Sequence, residues 1–167
     1  MTLGELLENI LLDIDEDKYD TDMTNKITKF INRGYRELAK REGLSKTKEI
    51  TLTNGKAKIP YDCAKVYSCL VDNANVEFKV LGKNIYSDND KVTLFYNYIP
   101  DLLEYVDDEF ETNENNVEFI MLYAKHLYYF SESLTDEAAQ FKTEYENYRI
   151  EKSKPIIGKI IDVYGVI

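Results

Sequence analysis

With 167 residues, 44% of them hydrophobic, the chain is long enough for one domain with a proper core and too apolar for disorder, although 31% of its residues are charged. A net charge of −10 excludes wholesale nucleic-acid binding, which needs a basic footprint, and disfavours an anionic membrane surface. Cys63 and Cys69 fit neither a disulfide framework nor a zinc ligand set, and read as free buried thiols of a reducing compartment.

Thr2 and Glu5 have the spacing of a capping box, and Leu3, Leu6, Leu7, Ile10 and Ile14 fall on one face, which predicts a first helix over 2–14. The segment before it has no basic region of a signal peptide, and no apolar stretch approaches a membrane span, so a soluble intracellular product is expected. An acidic loop, Asp15 to Asp20, precedes a second helix over 22–43. Ile27, Ile31, Tyr35 and Leu38 line its buried side, Phe30 lies at the margin, and Gly43 sits where a left-handed C-cap belongs. The short connection predicts that the two helices pack antiparallel.

At 100° per residue, Lys26, Lys29, Arg33, Arg36 and Lys40 form a stripe opposite that apolar side. Such a stripe can meet an acidic protein, face solvent or meet nucleic acid. No aromatic or glycine-rich element is interleaved with it, so base stacking is not offered.

After Gly43 the period becomes alternating. Residues 50–53 and 56–59 flank Asn54-Gly55, the signature of a two-residue hairpin in which Leu52 faces Ala57 and Ile50 faces Ile59. Further strands are expected at 65–71, 76–80 and 92–99, with turns at 72–75 and 87–90, giving a small antiparallel sheet of four or five strands. Pro100 closes the block. A third helix over 115–133 is apolar nearly all round. Val117, Ala124 and Tyr128 lie on one side and Phe119, Tyr123 and Phe130 on the other, so one set is expected to face the core and the other a packing partner. The fourth helix, 135–152, starts at a Thr135 cap.

Beyond Pro155, which breaks that helix, come Ile156, Ile157, Ile160, Ile161, Val163 and Tyr164, in an apolar segment with nothing after it to cover it. β-Branched residues favour an extended strand there, suited to adding onto a neighbour. Charge is also blocked out. Residues 1–22 hold eight acidic side chains against Lys18, residues 26–58 hold ten basic ones against three acidic, and 101–118 hold eight acidic and no basic ones. Opposite-sign faces suit head-to-side contact between copies, unless each block is simply a solvated face.

The expected fold class is therefore α+β, mostly α: a four-helix core, a small antiparallel sheet inserted between helices 2 and 3, and an extended C-terminal tail. A single domain spans 1–154, with the strand block at 48–100, and the interaction tail spans 155–167.

No reactive constellation accompanies this order. His126 is the lone histidine and reads as a packing or interface residue, which removes His-His and His-Cys metal sites. Gly82-Lys83 lacks the rest of a phosphate loop, and no nucleophile elbow occurs. The carboxylate clusters at 13–17 and 107–111 lack the spacing of a calcium loop, although they could hold a hard cation weakly. Neither an enzyme nor any cofactor or metal site is expected.

Four segments carry a wider resemblance. They are 25–38 (Asn25-Lys26-Ile27-Thr28-Lys29-Phe30-Ile31-Asn32-Arg33-Gly34-Tyr35-Arg36-Glu37-Leu38), 55–60 with 92–100, and the later helix from Val117 to Lys125. Together with the opening helix, their layout resembles the head-to-tail connector, or adaptor, proteins of tailed bacteriophages. That resemblance implies a virion protein at the head–tail interface, assembled in the host cytoplasm as a ring of identical subunits, typically dodecameric. It implies as partners a portal protein, other copies of the chain, and a tail or tail-completion protein. The C-terminal segment would anchor to the portal or a neighbouring subunit, and genomic DNA would pass through without specific binding. An acidic channel wall suits such passage because it repels phosphate. The competing readings are an acidic monomeric inhibitor or DNA mimic, an enzyme of unrecognised type, and another tail-completion or scaffold subunit.

Overall fold

The computed structural model describes residues 1–17 and 20–152. The expected tail, with Ile156, Ile157, Ile160, Ile161, Val163 and Tyr164, lies outside the described residues. The fold is α+β, with four helices and antiparallel strands between the second and third. The described residues gather into two compact units, a helical one of residues 1–44 and 100–152 and a sheet unit of residues 45–99.

The helical unit contains α1 (Leu3–Asp13), α2 (Thr21–Lys40), α3 (Glu114–Ser131) and α4 (Thr135–Asn147). The capping box opens α1, with the Glu5 amide donating to Thr2 Oγ1 and the Thr2 amide to Glu5 Oε2. Asp20 caps α2 and Asn113 caps α3, each accepting first-turn amides on a side-chain oxygen. The expected Thr135 cap is not formed. Leu134 holds the cap position without a side-chain bond, and Thr135 is the first helical residue.

Three helices end alike. The amides of Asp15, Glu42 and Ser133 return to Leu12, Ala39 and Phe130, and those of Glu16, Gly43 and Leu134 return to Leu11, Leu38 and Tyr129. That double return is the Schellman motif, with a non-glycine residue in the left-handed position each time, at φ of 58°, 63° and 61°. The expected left-handed residue of α2 is thus Glu42 rather than Gly43. Gly43 is required for space instead, since a Cβ there would sit 2.3 Å from Leu38 Cδ1 and 2.9 Å from Ile150.

Ile10, Ile27, Ile31, Leu38, Ile120 and Ala124 are fully buried, each large one contributing about 1.5–3 kcal/mol. Gly34 lets α2 approach α3 closely, because a Cβ there would lie 3.1 Å from the Ile120 carbonyl oxygen. The opposite side of α3 is covered by α4. Phe119 is fully buried and meets Tyr145 edge-on at 6.0 Å, and Tyr123 meets Tyr145 at 5.0 Å. α4 stops five residues before the expected 152, at Asn147, and the ψ of 130° at Tyr148 leads into extended chain.

The sheet unit holds seven strands in two antiparallel sheets, in place of the single expected one. β1 (Ser45–Thr51), β3 (Cys63–Val71), β4 (Ala74–Asn75) and β7 (Lys91–Tyr98) form one, ordered β1-β7-β3-β4. β2 (Lys56–Lys58), β5 (Lys79–Leu81) and β6 (Asn84–Tyr86) form the other, ordered β2-β6-β5. The Asn54-Gly55 turn forms, with both residues at positive φ, but its hairpin stops after the Thr53–Lys56 bridge. Leu52 and Ile50 do not face Ala57 and Ile59. Ile50 pairs with Val92, and Ala57 with Ile85. The reason is β7, a nearly continuous buried strand that offers β1 a ladder of seven pairs against the four of the local hairpin.

Candidate interaction site

The cationic stripe survives folding, but unevenly. Lys26 pairs with Glu132 and lies 5.6 Å over the Tyr128 ring, and Lys40 reaches Glu37 at 3.2 Å. The Lys26 ammonium holds the Glu132 carboxyl below its usual range. Lys29, Arg33 and Arg36 are exposed and make no ion pair among the described residues. Arg33 only leans on its neighbour Phe30, 6.0 Å from the ring centre. Three unneutralised cations therefore remain on the outward face of α2.

Asn32, beside them, faces the other way. It is buried, and its amide grips Leu103 in both directions, accepting from the Leu103 amide at 2.9 Å and donating to its carbonyl at 2.9 Å. This pairing pins the loop that follows Pro100 against α2. Asp108 continues the work, with one carboxylate oxygen accepting the amides of Glu104 and Tyr105 at 2.7 and 2.9 Å, which lowers its pKa. The carbonyls of Val106 and Asp108 then receive the amides of Gly4 and Leu3, and Tyr35 accepts the Glu111 amide on its hydroxyl. The loop is fixed at every step, yet it leaves Leu102, Tyr105 and Val106 exposed.

A second asparagine repeats the grip. Asn116, 1% exposed, accepts the Glu151 amide and donates to its carbonyl, both at 2.9 Å, while also reaching the carbonyl of Gly43. Asn113 and Asn115 hold the Glu151 carboxylate. These bonds draw 148–152 into extended chain and explain the early end of α4. Neither asparagine stood out as a candidate in the sequence. Asn32 was detectable as a polar residue beside Tyr35 and Ala39 at the edge of an apolar helix face, whereas Asn116 carried no such signal among its neighbouring asparagines.

Of the aromatic candidates on α3, Phe119 and Tyr123 pack against α4, and Phe130 alone is largely exposed, at 66%. His126 is a packing residue, with Nδ1 2.8 Å from the Ala138 carbonyl and its ring against Tyr145. The acidic residues at and just beyond the end of α1 serve α3 as partners, Asp13 pairing with Lys125 and Glu16 accepting the Tyr128 hydroxyl at 2.6 Å. Among the described residues no group of three metal-ligating side chains occurs, and no helix is long and apolar enough to cross a membrane. Cys63 and Cys69 are free thiols, and burial raises both pKa values.

Residues 1–83, from α1 through the turn after β5, match the family described as SU10 adaptor protein. The match supports a phage head-to-tail adaptor family for this chain. No curated protein matches it. Adaptors of this kind are structural components of the phage particle that contact other head and tail proteins, and the cationic face of α2 lies within the matched segment.

Proposed function

We propose that this adaptor forms a ring of identical subunits that docks on a portal protein, joins it to a tail or tail-completion protein, and performs no catalysis. Its helical and sheet units act within one adaptor domain. Genomic DNA passes through the ring without specific binding, as the net charge of −10 favours. The observation that carries the reading is the row of Lys29, Arg33 and Arg36, exposed and without an ion pair among the described residues, in the segment matched to the family. Such a row on an acidic chain fits an acidic protein partner better than duplex DNA, because nothing beside it offers base stacking. The segment 155–167, with its β-branched residues, is proposed to add as a strand to the portal or to a neighbouring subunit.

The test is binding of the full chain to a portal ring from the same source. Arg33→Glu with Arg36→Glu should weaken assembly on the portal in a salt-sensitive way and leave the melting temperature nearly unchanged. Deleting 155–167 should preserve folding and abolish assembly. Clear duplex-DNA binding at low salt by the native chain, lost in the reversed variant, would reassign the row to nucleic acid.

A further inference from the structure

The ring proposed above needs a contact between copies, and two exposed surfaces on the two units match each other in chemistry. The first is the pinned loop of the helical unit. Tyr105 and Val106 are 67% and 68% exposed and Leu102 is 50% exposed, although the backbone from Leu103 to Asp108 is held by Asn32, by the Asp108 carboxylate and by the first turn of α1. An apolar group shown to solvent on a floppy loop would cost ordering entropy on binding, whereas this loop is already ordered. Glu104 and Asp107 flank the apolar group, exposed and without an ion pair among the described residues.

The second surface is the tip of the β5–β6 hairpin. β5 is an edge strand, paired only with β6, and every residue in it is exposed. Val80 and Leu81 stand there at 39% and 50% exposure. Gly82, at φ +59°, and Lys83 form the two-residue turn between Leu81 and Asn84, so Lys83 sits at the tip and Lys79, paired with Tyr86, at the far end of the strand. Lys79 and Lys83 are exposed and make no ion pair among the described residues. Natural edge strands are usually blunted against pairing, and lysines do that here while two aliphatic side chains stay uncovered.

Leu81 shares one face of β5 with Lys79 while Val80 points to the other, so each surface sets exposed apolar side chains beside flanking charge, and the flanking charges of the two surfaces have opposite signs. The geometry points to a contact in which the β5–β6 tip of one copy docks on the 102–107 loop of a second copy of this chain. The occupant of each surface is the other surface. Because the two differ, the contact is heterologous, and a pair of copies keeps one free loop and one free tip for further neighbours, which is what closes a ring or extends a filament. The contact rests on the ring reading, and it names which surfaces of the chain meet.

Self-association of the full chain, followed by sedimentation velocity up to millimolar concentration, tests it. Two variants, Lys79→Glu with Lys83→Glu and Glu104→Lys with Asp107→Lys, each alter only exposed side chains, and their thermal melts should stay native. Each alone should raise the dissociation constant for self-association tenfold or more. Mixing the two variants, or combining all four substitutions in one chain, should restore association, because the opposite signs again meet. A native chain that stays monomeric, variants that associate like the native chain, or a combined variant that fails to recover would each overturn the contact. Portal binding measured in parallel separates the two claims. Association without portal binding refutes the adaptor ring on the portal and leaves the contact standing, whereas portal binding by a chain that never self-associates refutes the contact alone.

Discussion

The helical unit carries eleven basic side chains against 24 acidic ones, a net of −13, whereas residues 45–99 carry eight against six, a net of +2. The overall charge of −10 is therefore no uniform property of the surface. Architecture explains much of the division. Helix starts and a loop that must be held down both need acceptors for backbone amides, and Glu5, Asp20 and Asp108 supply carboxylates to them. Short edge strands need protection from pairing, and Lys56, Lys58 and Lys79 supply it on β2 and β5. Charge placed for local structural reasons leaves two units of opposite net sign.

The largest expected effects come from breaking the helical unit where it is densest. Ala124→Asp and Phe119→Asp each bury an unpaired carboxylate on opposite sides of α3, and each should cost several kcal/mol. Loss of helical circular dichroism at room temperature is the expected readout for both. A native-like melt for Phe119→Asp would mean that α4 does not cover that side of α3.

The two asparagine grips allow a finer comparison within the same unit. Asn116→Ala strands the Glu151 backbone amide and carbonyl and leaves Gly43 without its side-chain donor, at about 2–4 kcal/mol, whereas Asn32→Ala removes a slightly less buried side chain and strands the Leu103 amide and carbonyl, at about 1–2 kcal/mol. Urea unfolding of both variants checks the ranking. Equal losses would show that burial does not decide it.

Much of this unit was legible beforehand. The capping box, the apolar faces of α1 and α2 and the four helices follow from local spacing, and local spacing is what helices obey. The sheet unit was legible only in its turns. Asn54-Gly55 and Asp72-Asn73 both adopt the positive φ their residue types favour, but the partner of β1 was set by β7, some forty residues later, and no local pattern encodes that choice. β6 was missed because three residues after a Gly82 turn carry too little alternation to register. On the candidate site, the cationic row was readable from helical spacing. The Lys40–Glu37 pair follows from the same spacing, three residues apart on α2, whereas the neutralisation of Lys26 does not, since it depends on where Glu132 comes to rest.

Alkaline pH should separate the tyrosines from the rest of the fold. Burial first, and then the hydrogen bond to Glu118, push the Tyr148 hydroxyl up to about 12, while an unfolded tyrosine titrates near 10. Between those values the folded chain keeps a proton the unfolded chain has lost. Stability is thus intact below about pH 10 and falls as pH rises toward 12. Tyr128 shifts in the same direction through burial and its bond to Glu16. Tyr148→Phe should flatten the decline in melting temperature between pH 10 and 12, although it weakens the protein slightly at neutral pH. An unchanged slope would mean that this hydroxyl ionises as freely folded as unfolded.

The smallest effect concerns the three left-handed helix ends, and it runs towards stability. Asp15, Glu42 and Ser133 hold φ near 60°, where a Cβ is crowded and glycine is not. Glu42 is the poorer test, because its carboxylate also meets Lys152 at 3.2 Å, and replacing it removes that pair along with the strain. Ser133 is exposed between α3 and α4, and the motif around it uses only its backbone amide, bonded to Phe130. Ser133→Gly keeps that bond, relieves the Cβ and adds some freedom to the unfolded chain, for a net gain of about 0.5–1 kcal/mol. The melting temperature should rise by about 1–4 °C. Ser133→Ala keeps the Cβ and loses only the hydroxyl, so it should match the native chain or fall below it. If the alanine variant gains as much as the glycine variant, the hydroxyl rather than the backbone conformation is what limits this helix end.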